Sequence, residues 1–174
     1  LALFSEIMKA TGPVSSVLEL GCNVGMNLKA FDLLDPKLLK VGFDINESAI
    51  SQLKAEKPSF DVKTGSIIES LVTATVDFAF TKGVLIHINP DHLEAVYANL
   101  YEKSNKYICV IEYYNPSPVA ITYRGHDDRL FKRDFCGDLL DKYSDLELVD
   151  YGFCYRRDPV FQQDDMTWFL MRKV

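Results

Sequence analysis

The sequence predicts an α/β fold: a doubly wound, mostly parallel sheet of seven strands, with helices on both faces and one antiparallel strand. Three observations lead there. Short apolar runs alternate with segments of helical period, the pattern of strands joined by crossover helices. The run "KYICVIEYY" (106–114) is nearly continuous in apolar character, like a strand buried on both faces. The last two strand-like runs, "LELVDYGFCY" and "MTWFLMRKV", have no helical pattern between them, which implies one antiparallel strand.

The elements follow in order. Leu3, Phe4, Ile7 and Met8 lie at helical spacing, and Gly12-Pro13 closes that helix. "SVLEL" (16–20) is a short strand ending at Gly21, and "GMNLKAFDLL" (25–34) is a helix that stops before Pro36. "LLKVGFDI" (38–45) is the second strand. Asn46 caps the helix "ESAISQLKAEK", which ends at Pro58. "FDVKTG" (60–65) is a weaker third strand, and "VDFAF" (76–80) is a fourth, apolar on both faces. Asn89-Pro90 supplies the cap and first residue of the next helix, whose apolar face is Leu93, Val96, Tyr97 and Leu100. After the fifth strand a polar loop is expected, then a helix near Asp134 to Tyr143.

A chain of 174 residues with 48% hydrophobic residues suits one domain, residues 1–174, with a packed core. The chain opens on Leu1, so an upstream segment is among the expectations. A net charge of -6 argues against a chain-wide surface for nucleic acid or anionic membrane. No apolar run reaches the roughly 18 residues that a membrane span needs, and no signal peptide is visible. Cys22, Cys109, Cys136 and Cys154 are far apart and form no Cys-x-x-Cys pair. They read as reduced thiols of a cytoplasmic protein, with no metal site.

The stretch "VLELGCNVG" (17–25) holds the first functional signal. Ligands of such sheets bind at the carboxyl ends of the strands, beside the switch in strand order. Gly21 falls at the end of the first strand, where positive φ and close approach to a ligand favour glycine. Asn23 is one of the few other residues that tolerate the left-handed region. Asp44, 25 residues beyond Glu19, is near the offset at which a carboxylate grips ribose hydroxyls. A pyrophosphate prefers helix N–H groups and no adjacent carboxylate, so Glu19 disfavours a dinucleotide. A cofactor with an ammonium group and a sulfonium fits Glu19 better.

The ordered set "ELGCNVG", "FDIN" and "VDFAFTKGVLIHI" resembles the class I S-adenosylmethionine-dependent methyltransferases over nearly the whole chain. That resemblance implies the strand order 3-2-1-4-5-7-6 and S-adenosylmethionine as cofactor. It implies that Glu19, Gly21, Cys22, Asn23 and Gly25 line the methionine part, and that Asp44 and Ile45 hold ribose and adenine. Gly65, Ser66 and Ile67 would flank adenine, and Thr81, Lys82 and Gly83 would close over the cofactor. Asn23 departs from the glycine that many members carry.

Downstream, "FTKGVLIHINPDHL", "EYYNPSPV", "YRGHDDRLFKRDF" and "LVDYGF" are similar to the pseudaminic-acid-biosynthesis-associated methylases. This similarity implies an acceptor among nonulosonic acids or related sugars. Arg124, His126, Arg129, Lys132 and Arg133 fall within ten residues of an otherwise acidic chain, and Tyr123 precedes them. Arginine offers planar bidentate donors for a carboxylate or phosphate, as an acidic or nucleotide-linked sugar would present. Asp127, Asp128 and Asp134 offer internal pairing as the alternative. Tyr113, Tyr114 and Asn115, directly after the fifth strand, are placed to stack on a sugar or hydrogen-bond it. "YNPSP" is also similar to the Asn-Pro-Pro-aromatic motif of enzymes that methylate nucleic-acid amino groups, but that motif follows the fourth strand.

Methyl transfer to a hydroxyl needs a base, whereas a neutral amine needs little help. Of three histidines, His87 comes first as base and His126 second, while His92 belongs to the first turn of a helix. The expected activity is therefore N- or O-methylation of a small molecule. The alternatives are another metabolite as acceptor, or a cofactor-binding pseudo-enzyme that supports a partner. The sequence leaves the oligomeric state open.

Overall fold

A computed structural model describes the backbone of residues 1–123 and 126–174, and side chains except those of residues 122–129. The elements are α1 Ala2–Lys9, β1 Ser16–Leu20, α2 Met26–Leu34, β2 Leu39–Asp44, α3 Glu47–Glu56, β3 Asp61–Thr64, β4 Val76–Lys82, α4 Leu93–Lys103, β5 Ser104–Glu112, β6 Val119–Tyr123, β7 His126–Lys132, α5 Phe135–Lys142, β8 Leu146–Cys154 and β9 Met166–Lys173. Seven strands form one sheet in the order β3-β2-β1-β4-β5-β9-β8. Strands β1 to β5 pair in parallel, and β9 runs antiparallel to both β5 and β8. With β6 and β7 set apart as a hairpin, this is the order 3-2-1-4-5-7-6.

Period-two alternation divides the core into two layers. Phe78 and Phe80 of β4 and Cys109 and Ile111 of β5 face one layer, with Leu3, Phe4, Ile7, Leu28, Phe31, Ile50 and Leu53 of α1, α2 and α3. Ala79, Ile108 and Val110 face the other, with Leu93, Val96, Leu100, Phe135 and Leu139 of α4 and α5. In the first layer Phe4 meets Phe31 at 4.5 Å between ring centroids, and Phe31 meets Phe80 at 5.3 Å. Both faces of the central strands are thus dry, the reason their sequences read as unbroken apolar runs.

Local signals set the ends. The Asn46 side chain accepts from Ala49 N at the start of α3, and Asp134 accepts from Gly137 N at the start of α5. Asn89 accepts from Asp91 N, but the turn it opens is a short 3-10 turn, Pro90–His92, and α4 begins only at Leu93.

The segment after β5 differs from the expected polar loop. Val119–Tyr123 and His126–Lys132 pair as an antiparallel hairpin outside the main sheet. Its charged residues hide the strand signal, since Ile121 and Leu130, which are cross-strand partners, are its apolar contribution to the site below.

One lysine is buried with its partner. Lys40 of β2 lies with 4% of its side chain exposed and donates to Asp32 Oδ1 at 2.7 Å and to Pro36 O at 2.9 Å. Lys57 donates to the other Asp32 oxygen at 2.9 Å. Asp32→Ala leaves a buried ammonium without its counter-charge, and urea denaturation at neutral pH should show a loss of about 3–5 kcal/mol. The two lysines hold the Asp32 carboxyl below its ordinary value of 3.8. Its contribution is therefore present above that value and is lost as pH falls through the lowered one. On acidification across that window the unmutated protein should lose more stability than Asp32→Ala.

Candidate functional site

The loop after β1 is built on the end of β2. Gly21 N and Cys22 N both donate to Phe43 O, at 2.8 and 3.0 Å, and Gly25 N donates back to Cys22 O at 2.7 Å. This tight path needs left-handed backbone at Gly21 (φ 81°), Asn23 (φ 46°) and Gly25 (φ 72°). A Cβ at Gly21 would come within 2.6 Å of Val84 Cγ2, and one at Gly25 within 2.5 Å of Leu53 Cδ2. Both glycines are thus required by φ and by space, while Asn23 takes its position because asparagine tolerates the same region. Asp44 completes the frame: its Oδ2 accepts from Asn23 N and its Oδ1 from Asn46 N, each at 2.8 Å.

Beneath the loop lies a buried acid. Glu19 is 1% exposed. Asn27 Nδ2 donates to its Oε1 at 2.6 Å, and its Oε2 is buried without a hydrogen-bond partner among the described residues. Burial pushes the carboxyl up to about 8, against the lowering effects of the Asn27 hydrogen bond and of Lys82. At neutral pH Glu19 is a protonated acid, and a cation brought to it would favour its ionised form.

A cleft of about 720 Å³ opens over these groups at the carboxyl ends of β1, β2 and β4. Glu19, Gly21, Cys22 and Asn23 line it from the first loop, Asp44 and Ile45 from the end of β2, Ser66 and Ile67 from the segment after β3, and Lys82 and Gly83 from β4 onward. Gly25 packs on Leu53, Gly65 faces Phe43, and Thr81 is 0% exposed, so these three support the walls from behind. Asn27, Ile68, Val84 and Ile88 also line the cleft, as does His92. Sequence reasoning missed Asn27, although its position eight residues after Glu19, in the first turn of α2, was a signal.

A second cleft, of about 520 Å³, adjoins the first and shares Asn27, Lys82, Gly83 and His87 with it. Tyr113, Ile121, Leu130, Lys132, Asp164 and Met166 form its other side. His87 is exposed in the 3-10 turn Leu85–His87 and faces both clefts.

That turn is held from β5. Glu112, 2% exposed, accepts through Oε1 from Val84 N at 2.9 Å and from Leu85 N at 3.0 Å. Burial raises its carboxyl to about 7 despite those bonds. A lone acid at the end of an apolar strand is a faint sequence sign of this role.

The other nominated residues are divided. Tyr113 lines the second cleft, with Lys132 Nζ 5.2 Å from its ring centroid. Tyr114 turns away, its ring 5.7 Å from Phe169, and forms an isolated bridge with Arg133. Asn115 donates to Ser117 O and closes its own turn. Arg124 lies outside the described residues, as do the side chains of Tyr123, His126 and Arg129. All four cysteines are free and buried, and burial pushes each thiol above its ordinary value. Among the described residues, no group of three or more His, Cys, Asp or Glu stands ready to hold a metal ion, and no helix is long and apolar enough to cross a membrane.

The sequence matches no protein-family profile and no curated protein. Solved structures do match. TehB from Haemophilus influenzae shares 21% identity and a TM-score of 0.68, over 100% of this chain and 62% of its own. The chain thus spans less than two thirds of that relative. The glycopeptide N-methyltransferase MtfA, solved with S-adenosyl-L-homocysteine, gives 14% identity and a TM-score of 0.71 over 98% of this chain and 88% of its own. The O-methyltransferase from a trans-AT polyketide synthase multienzyme of Brevibacillus brevis, also solved with S-adenosyl-L-homocysteine, gives 12% identity and 0.75 over 98% and 71%. The chain has the Rossmann-like fold of the class I S-adenosylmethionine-dependent methyltransferases.

Proposed function

We propose that this protein is an S-adenosylmethionine-dependent methyltransferase acting on a small-molecule acceptor. The observation that carries the reading is the cleft of about 720 Å³, with the Asp44 carboxylate on its wall and the unpartnered Glu19 oxygen buried at its floor. Each Asp44 oxygen keeps a lone pair after accepting from Asn23 or Asn46, which suits the two hydroxyls of a ribose. Glu19 and Asn27 suit an ammonium-bearing tail, and Ile45, Ile67 and Ile68 suit a flat base. The Asp44 carboxylate on the wall of the cleft disfavours a pyrophosphate. Bound there, the cofactor supplies an electrophilic methyl group.

The chain's own residues would then align and deprotonate. Gly83 and Lys82 separate the two clefts, and His87 overlooks both. His87 would accept a proton at an imidazole nitrogen from an acceptor hydroxyl, with Glu112 fixing the turn that carries it. The finer reading is an amino or hydroxyl group of an acidic or nucleotide-linked sugar, supported by the resemblance around "EYYNPSPV" and "YRGHDDRLFKRDF". Four buried reduced thiols fit a cytoplasmic setting.

Three outcomes test this. Asp44→Ala should weaken S-adenosyl-L-homocysteine binding by about 1.5–3 kcal/mol in calorimetry, and unchanged affinity in a folded variant would remove Asp44 from the site. Glu19 should make cofactor binding release protons at pH 7. The free protein holds this acid protonated up to about 8, so affinity should rise with pH toward that value and level off above it. Titrations in buffers of different ionisation enthalpy read the release, which Glu19→Gln should abolish. Finally, His87→Gln should lower kcat by about 10²–10⁴-fold while sparing cofactor affinity, and full activity would move the role of base to His126 or show that the acceptor is an amine needing no base.

A further inference from the structure

We propose that the second cleft is the acceptor site and that it selects an anion: a ring-sized molecule whose carboxylate lies against Lys132 and Lys82. This rests on the methyltransferase reading and adds the chemistry of the second substrate. The cleft of about 520 Å³ adjoins the first along Asn27, Lys82, Gly83 and His87, which line both, so ligands in the two would be neighbours. Its other features define what fits.

Lys29, Lys40, Lys57, Lys63, Lys106 and Lys142 pair with a carboxylate, whereas the other seven lysines have no salt bridge among the described residues, and of those seven only Lys82 and Lys132 line this cleft. Lys82 and Lys132 form no salt bridge among the described residues, although Asp and Glu outnumber Lys and Arg by 25 to 19. Asp164 lines the same cleft from an exposed position, beyond salt-bridge distance of either. Lys132 is steadied over the Tyr113 ring at 5.2 Å.

The remaining wall is apolar, from Ile86, Ile121, Leu130 and Met166. Two lysines in one cleft beside an apolar wall suit an amphipathic anion, with its ring on the wall and its carboxylate at the ammonium groups. This assigns anion recognition to a lysine at each cleft margin. It also gives the β6–β7 hairpin a task, because Ile121, Leu130 and Lys132 all belong to it.

A matched pair of probes tests the assignment: 4-hydroxybenzoate and 4-hydroxybenzamide, titrated into protein saturated with S-adenosyl-L-homocysteine and followed by ligand-observed NMR. The carboxylate should bind about tenfold more tightly, the ratio a charge-assisted hydrogen bond supplies. Lys132→Gln should remove most of that preference and Lys132→Arg should keep it, both with unchanged affinity for S-adenosyl-L-homocysteine. Equal binding of the two probes, no carboxylate binding at millimolar concentration, or a preference that survives in both Lys132→Gln and Lys82→Gln would overturn the proposal. Failure of the unmutated protein to bind S-adenosyl-L-homocysteine would instead overturn the methyltransferase reading, and the probe pair titrated without it would still decide the anion site.

Discussion

The end of β2 holds the first loop in place, and the site depends on that attachment. Phe43 O takes two loop N–H groups and Asp44 Oδ2 takes a third, so the path from Gly21 to Asn23 is fixed from outside the loop. Left-handed backbone at Gly21, Asn23 and Gly25 is otherwise weakly determined. These bonds make it a single conformation. Asp44 orders the loop and still keeps a lone pair on each oxygen. A carboxylate suits both because it accepts several bonds at once.

The opposite wall is built the same way, from the neighbouring strand. Glu112 at the end of β5 gathers the N–H groups of Val84 and Leu85, which follow β4. The turn carrying His87 is thus anchored by a buried carboxyl that has little freedom of its own. Such a group is expensive to bury unless it is hydrogen-bonded, and the two backbone donors offset part of that penalty. The strands diverge where their order reverses between β1 and β4, and the space between the two anchored walls is the cleft.

Much of this was legible in the chain itself. Two-sided burial makes β1, β2, β4 and β5 largely apolar, and Asn46 and Asp134 announce their helices by capping chemistry. The hairpin was not legible, because its strands face a cleft and the surface rather than a dry core. Its apolar residues are sparse among charges, and the period of two is lost in "YRGHDDRLFKR".

The sequence alone determined the order of the main-sheet strands and their helices, the glycine turn after β1 and the acidic residues at the ends of β1 and β2. These rest on short-range rules: backbone sterics, capping and the periodicity of burial. Only the tertiary structure decided which side chains share a wall. Lys132 reaches Tyr113 and shares a cleft with Lys82 only in the folded chain, and Glu112 meets Val84 across 28 residues of chain. Tyr114 and Asn115, adjacent to Tyr113 in sequence, turn elsewhere. Successive residues of an extended chain point to opposite sides, so neighbours in sequence part company while distant residues are brought together by packing.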